Sequence, residues 1–165
     1  YREMGLYEFS VGGAGYHYPL IASNFMSGAE SLTSDADWGA ATDPPTSLDV
    51  SGLTDPENAI AVYWYIDSDI ILDKIRVAAI ADSAATLNFH LMAYDLDVTS
   101  NYGDLSNGVV HASGSITTVL NSIKYDTLSL TSPAIGEDKV VIGFVENATD
   151  SNDLSVSFDI RYHIK

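Results

Sequence analysis

Side chains able to do chemistry are few in this chain and widely scattered. The four histidines, His17, His90, His111 and His163, fall on separate segments. None is joined to another by the H-x-H or H-x-x-x-H spacing that puts two imidazoles on one face, so the sequence predicts no zinc or iron centre. His90 and His163 fall on the polar parity of their segments and read as surface imidazoles. Cysteine is absent, which excludes thiolate ligands, a thiol nucleophile and disulfides. There is no G-x-S-x-G elbow and no local signature of a serine triad. The carboxylate pairs Asp67/Asp69 and Asp95/Asp97 have the residue type that a glycosidase sets across a cleft. Among 23 acidic residues such pairs arise by chance. With no acid, base or nucleophile to nominate, the expectation is a protein that is not an enzyme.

Two ligand chemistries can be tested on the sequence. From Asp95 to Asp104, oxygen donors recur at alternate positions, as at the start of a calcium loop. The sixth position is Ser100 rather than Gly and the twelfth is Ser106 rather than Glu, so this is no EF-hand. The preferred reading is a solvated loop, with a looser Ca2+ site as the alternative and no other cofactor expected. Trp38 stands alone in a polar loop, and Tyr102 stands in another. Such rings could stack on a sugar, although Trp38 equally serves to pin its loop to its own domain. Asn147-Ala148-Thr149 is a glycosylation sequon only in a chain secreted by a eukaryote, which nothing else indicates.

The charge balance narrows the partners. Seven Lys+Arg against 23 Asp+Glu give a net charge of −16, a field that repels nucleic acid and anionic membranes. Solubility in a saline medium is the favoured reading of that charge; calcium binding and a basic partner are the others. No apolar run approaches the ~18 residues of a membrane span, and no signal peptide is visible. The chain opens on Tyr1 rather than Met and reads as a processed product or the ordered part of something longer.

Strands must position these residues. In the closing stretch Asp153 to Lys165, Leu154, Val156, Phe158, Ile160, Tyr162 and Ile164 share one parity, and Ser155, Ser157, Asp159, Arg161, His163 and Lys165 share the other. That alternation predicts a strand with one dry face, packed between neighbours. Leu6–Val11, Ile70–Asp82, Thr86–Val98, Val109–Ser115, Lys124–Leu130 and Lys139–Glu146 read as further strands. Ala59–Ile66, apolar on both parities, reads as a central strand covered on both sides. No credible helix exceeds about two turns. Strands spaced this way predict an all-β fold, an antiparallel jelly-roll-like sandwich of about eight strands, with an immunoglobulin-like sandwich as the runner-up.

The length suits a single domain, organised as an N-terminal strand with a Gly/aromatic arm (1–26), a long polar loop (27–58) and the sandwich proper (59–165). The arm is expected either to lie on a neighbouring subunit or to pack on its own core. Tyr16, Tyr18 and Phe25 in the arm, with Tyr63 and Tyr65 on one face of the aromatic strand, are the candidate interface residues.

Three passages go further: "AVYWYIDSDIILDKIRVAAIAD", "TLNFHLMAYDLD" and "KYDTLSLTSPAIGEDKVVIGFVENATDSNDLSVSFDIRYHIK". In order and pattern, from about Asn58 to Lys165, they resemble the jelly-roll domain of virion structural proteins of tailed bacteriophages. The buried strand Val140–Val145, the acidic loop Glu146–Asp153 and the closing Ile160–Tyr162 carry the likeness. It implies a structural role in the virion, as a capsid decoration (cement) or head-fibre protein, commonly trimeric, with the major capsid protein as partner. A receptor- or carbohydrate-binding tail module is the alternative.

Overall fold

Alternation of apolar and polar residues builds almost every element of the molecule. The computed structural model describes residues 1–10, 16–22, 44–52, 59–100, 103–148 and 153–165, and of residues 8–10 the backbone only. The strands are β1 (Arg2–Ser10), β2 (His17–Pro19), β3 (Trp64–Ile66), β4 (Ile70–Ala81), β5 (Thr86–Leu96), β6 (Leu105–Thr117), β7 (Lys124–Thr127), β8 (Ser129–Leu130), β9 (Ala134–Ile135), β10 (Lys139–Asn147) and β11 (Asp153–Ile164). A 3-10 turn (Val50–Gly52) and one helical turn, α1 (Ala59–Val62), complete the described elements.

All strand pairs are antiparallel. Sheet A runs β1-β11-β4-β7, with β9 also on β4; sheet B runs β2-β10-β5-β6-β8, with β3 also on β10. With the short β3, β8 and β9 set aside, the eight remaining strands, numbered along the chain, run 1-8-3-6 in one sheet and 2-7-4-5 in the other. That is the order of a jelly roll, two interlocked Greek keys. The chain is an all-β antiparallel sandwich.

The closing strand sits where its pattern demands, between β1 and β4. Leu154, Val156, Phe158 and Ile160 are buried, and Phe158 meets Phe89 of the other sheet with ring centroids 5.7 Å apart. A bulge between Arg161 and Tyr162 interrupts the ladder. Beyond it Tyr162 is half-buried against Trp64, while Ile164, at the last rung opposite Ile70, is 70% exposed rather than dry.

Two segments depart from the expected strands. Ala59–Ile66 is not one strand but α1 followed by β3. The reason lies in β10. One of its flanks is filled by β5 along its whole length. The other is shared, with β2 opposite Phe144–Glu146 and β3 opposite Lys139–Val141. Only three rungs remain for Trp64–Ile66, so the residues before them wind over the sheet instead, where the Ala22 amide donates to the Ala61 carbonyl at 2.8 Å. Lys124–Leu130 is likewise divided. β7 joins sheet A and β8 joins sheet B, with buried Leu128 crossing between them.

The main core lies between the sheets. A second apolar cluster lies on the outer face of sheet B, where Met92, Tyr94, Val140, Ile142 and Phe144 are roofed by Leu48, Ala59, Ala61 and Val62. Residues 44–52, read as part of a polar loop, are thus a cover. Leu48 and Leu105 exchange backbone hydrogen bonds at 2.9 Å, and the Tyr94 hydroxyl donates to the Pro45 carbonyl at 2.6 Å. A Cβ at Gly108 would stand 2.5 Å from the Tyr94 ring and 2.9 Å from Thr46 Cα, so only glycine lets the cover lie this close. Sandwiched in this way, Val140–Asn147 are buried throughout. Each large side chain so covered contributes roughly 1.5–3 kcal/mol before entropy is subtracted.

Candidate functional site

Parity on β5 and β10 decides which side chains meet on the covered side of sheet B. On β5, Leu87, Phe89 and Leu91 enter the main core, so Asn88, His90, Met92 and Tyr94 face outward. On β10, Val141 and Val145 enter the main core, so Val140, Ile142, Phe144 and Glu146 face outward. The register sets Asn88 opposite Glu146, His90 opposite Phe144, and His17 of β2 opposite Glu146 from the other flank.

Three distant segments therefore deliver His17, His90 and Glu146 to one place, with a ligand atom of each within 4.8 Å of the others. The two imidazoles lie with centroids 5.1 Å apart and planes tilted by 47°, and Phe144 stands edge-on to His17. Asn88 Nδ2 donates to Glu146 Oε2 at 2.8 Å and orients that carboxylate. His17 is 1% exposed and Glu146 4%; His90 is half-buried, and its Nδ1 is buried with no hydrogen-bond partner among the described residues. Burial, and secondarily the facing His17, push the His90 imidazole down to about 4 against the opposing pull of Glu146. It is therefore neutral near pH 7, with a lone pair to offer. Two imidazoles and a carboxylate are a donor set for a divalent metal of borderline softness.

This placement corrects the reading of His90 as a surface imidazole. His163 does lie exposed, 3.0 Å from the Asp73 carboxylate. His111 is buried, with Nδ1 2.6 Å from the Ser132 carbonyl, and burial lowers its proton affinity.

The outer face of sheet A is built differently. Lys74 and Arg76 on β4, Asp159 and Arg161 on β11, and Glu3 on β1 alternate outward in register, Arg76 beside Asp159 and Lys74 beside Arg161. Tyr1, Lys74, Arg76, Asp159 and Arg161 line a shallow depression of about 160 Å³. The Tyr1 hydroxyl donates to Asp159 at 2.7 Å, and chiefly that bond pushes the phenol up to about 12. Tyr1 is 65% exposed, and Tyr7 and Tyr125, on the same side of the sheet, are 73% and 75% exposed. Three of the seven Lys and Arg residues thus gather on one face.

The expected interface residues do not come together. Tyr18 is 4% exposed within the main core, so it is a packing residue rather than a contact. Tyr16 lies exposed just before β2. Tyr63 is half-buried against the second cluster and donates to the Gly103 carbonyl at 2.9 Å; burial raises its phenol. Tyr65 is exposed and donates to the Asp138 carboxylate, which raises it too. Phe25, Trp38 and Tyr102 lie outside the described residues.

In the stretch tested for calcium, the carboxylates meet donors from the chain itself. Asp97 accepts from the Thr99 and Ser100 amides at 2.7 and 3.1 Å, Asp95 from Lys139 and Asn107, and Asp104 from the Val50 amide at 2.9 Å. Asp69 accepts from the Glu137 amide at 3.0 Å in a turn. Neither the His17–His90–Glu146 cluster nor the cationic face was nominated from sequence. The only local signal was parity, which put His90 on the polar side of its strand without saying what that side meets; Glu146, at the end of a strand read as buried, carried none.

No protein-family model matches this chain, and no curated protein matches it.

Proposed function

We propose that this chain is a structural subunit of a tailed-bacteriophage virion, a capsid decoration protein that works as a homotrimer and stabilises the shell through subunit contacts. The observation that carries the reading is the outer face of sheet A, on which no described segment is packed, with its exposed tyrosines and clustered cations, in a chain of net charge −16. Tyr and Arg are enriched in interface cores, where Asp and Glu are depleted. Lys74, Arg76 and Arg161 there cluster about Glu3 and Asp159, with Asp73 and Asp153 further along the same face. The cationic cluster repels its own duplicate but attracts an acidic surface of the next copy. A contact between two different surfaces is heterologous, the kind of contact from which a closed ring such as a trimer is built when the rotation closes. The jelly-roll strand order supports the resemblance to virion proteins. No step of catalysis belongs to this role, and the major capsid protein is the larger partner.

The tail-module alternative is centred on Trp38 and Tyr102, which lie outside the described residues. Sedimentation of the purified chain tests the proposal. A trimer is expected, and Arg76→Glu with Arg161→Glu is expected to yield monomers that melt as the parent does. A chain that stays monomeric at high concentration, or a trimer indifferent to both substitutions, overturns it.

A further inference from the structure

We propose that His17, His90 and Glu146 form a binding site for one divalent transition metal ion, zinc foremost, that clamps β2 onto sheet B. The site is independent of the virion reading. Its three ligands come from β2, β5 and β10, so an ion held by all three ties together strands from opposite ends of the chain. β2 has most to gain. It is three residues long and is held in its sheet by β10 alone.

Three observations favour an ion over a purely packed cluster. Glu146 is 4% exposed, and among the described residues neither ion pair involves it. A carboxylate removed from water without a cation is costly, and a dication offsets that cost. His90 Nδ1 is a buried donor or acceptor with no hydrogen-bond partner among the described residues, and such groups are rare unless something occupies them. Asn88 fixes Glu146 from behind, the kind of outer support that metal-binding carboxylates have. The ligand atoms span up to 4.8 Å. An ion at about 2.0–2.2 Å from each ligand would draw these atoms closer together than that. Two imidazoles select against calcium and magnesium, which prefer oxygen, and suit zinc, cobalt or nickel. The three protein donors leave a fourth tetrahedral position for water.

The test is titration of the metal-stripped chain with Zn2+, and with Co2+ as an optical probe, in the presence of excess Ca2+. One equivalent is expected to bind, to raise the melting temperature, and to give Co2+ the intense visible bands of a tetrahedral site. Glu146→Gln and His90→Asn are each expected to weaken binding at least ~10-fold, and Asn88→Ala by about 10- to 100-fold with the Co2+ spectrum retained. Should Glu146→Gln fail to fold, His90→Asn carries the test, because His90 is only half-buried. Absence of saturable binding overturns the site. So does Zn2+ binding that Ca2+ displaces, or that survives unchanged in the folded variants, since surface carboxylates would then be the ligands.

Discussion

The inner faces of the two sheets are treated alike, each dry and interdigitated with the other, but their outer faces are not. Outside sheet B, Ile142, Phe144, Met92 and Tyr94 lie beneath α1 and residues 44–52. Outside sheet A, the corresponding positions carry Lys74, Arg76, Ser157, Asp159 and Arg161, and among the described residues no segment is packed on them. The difference follows from composition. β10 is apolar on both parities and needs a roof, whereas β4 and β11 alternate and need water or a partner.

Substitution should expose this asymmetry. The largest effect is expected at Phe144→Ala, on the covered face, with a loss of about 3–5 kcal/mol in denaturant unfolding. Its counterpart on the bare face, Ser157→Ala, should stay within about 0.5 kcal/mol. Equal costs would mean that the two faces do not differ as described. Next comes Gly108→Ala, which forces a methyl group against the Tyr94 ring and the Thr46 backbone. A loss of about 1–3 kcal/mol is expected, together with faster proteolysis of the cover.

The smallest effect concerns pH. His111 binds its proton less readily folded than unfolded, because burial opposes the charge. The unfolded chain therefore takes up more protons as pH falls through the ordinary imidazole value near 6.5, and stability is lost below it. In His111→Asn that acid-side loss should be smaller than in the parent, read as the melting temperature between pH 7 and 5. An identical profile would mean that His111 titrates as if exposed.

Much of this was legible in the residues. The alternation of Leu154 to Ile160, and of Ile75, Val77 and Ala79 against Arg76 and Ala78, names both the strands and their dry sides. What parity cannot say is which strand lies beside which. The Ala59–Ile66 run looks like a full strand because nothing in it reveals that β2 has already taken three rungs of the same edge. His17, His90 and Glu146 show no metal spacing because the sheet supplies the spacing that the chain lacks. Tyr18 and Tyr125 are the same residue type, yet one fills the core and the other is exposed. Aromatic content marks contact without saying with what.

The shared edge of β10 also bears on how the molecule is made. β1 pairs with β11, and β2 and β3 pair with β10. Among the described residues, β1, β2 and β3 thus find their strand partners only in Lys139–Ile164, far along the chain, although Gly5 of β1 also exchanges backbone hydrogen bonds with Ile21 at 3.0 Å. Pairings between such remote segments fold slowly and leave strand edges open to misassembly in the interval. Nascent chains that stall before β10 are the ones expected to recruit chaperones.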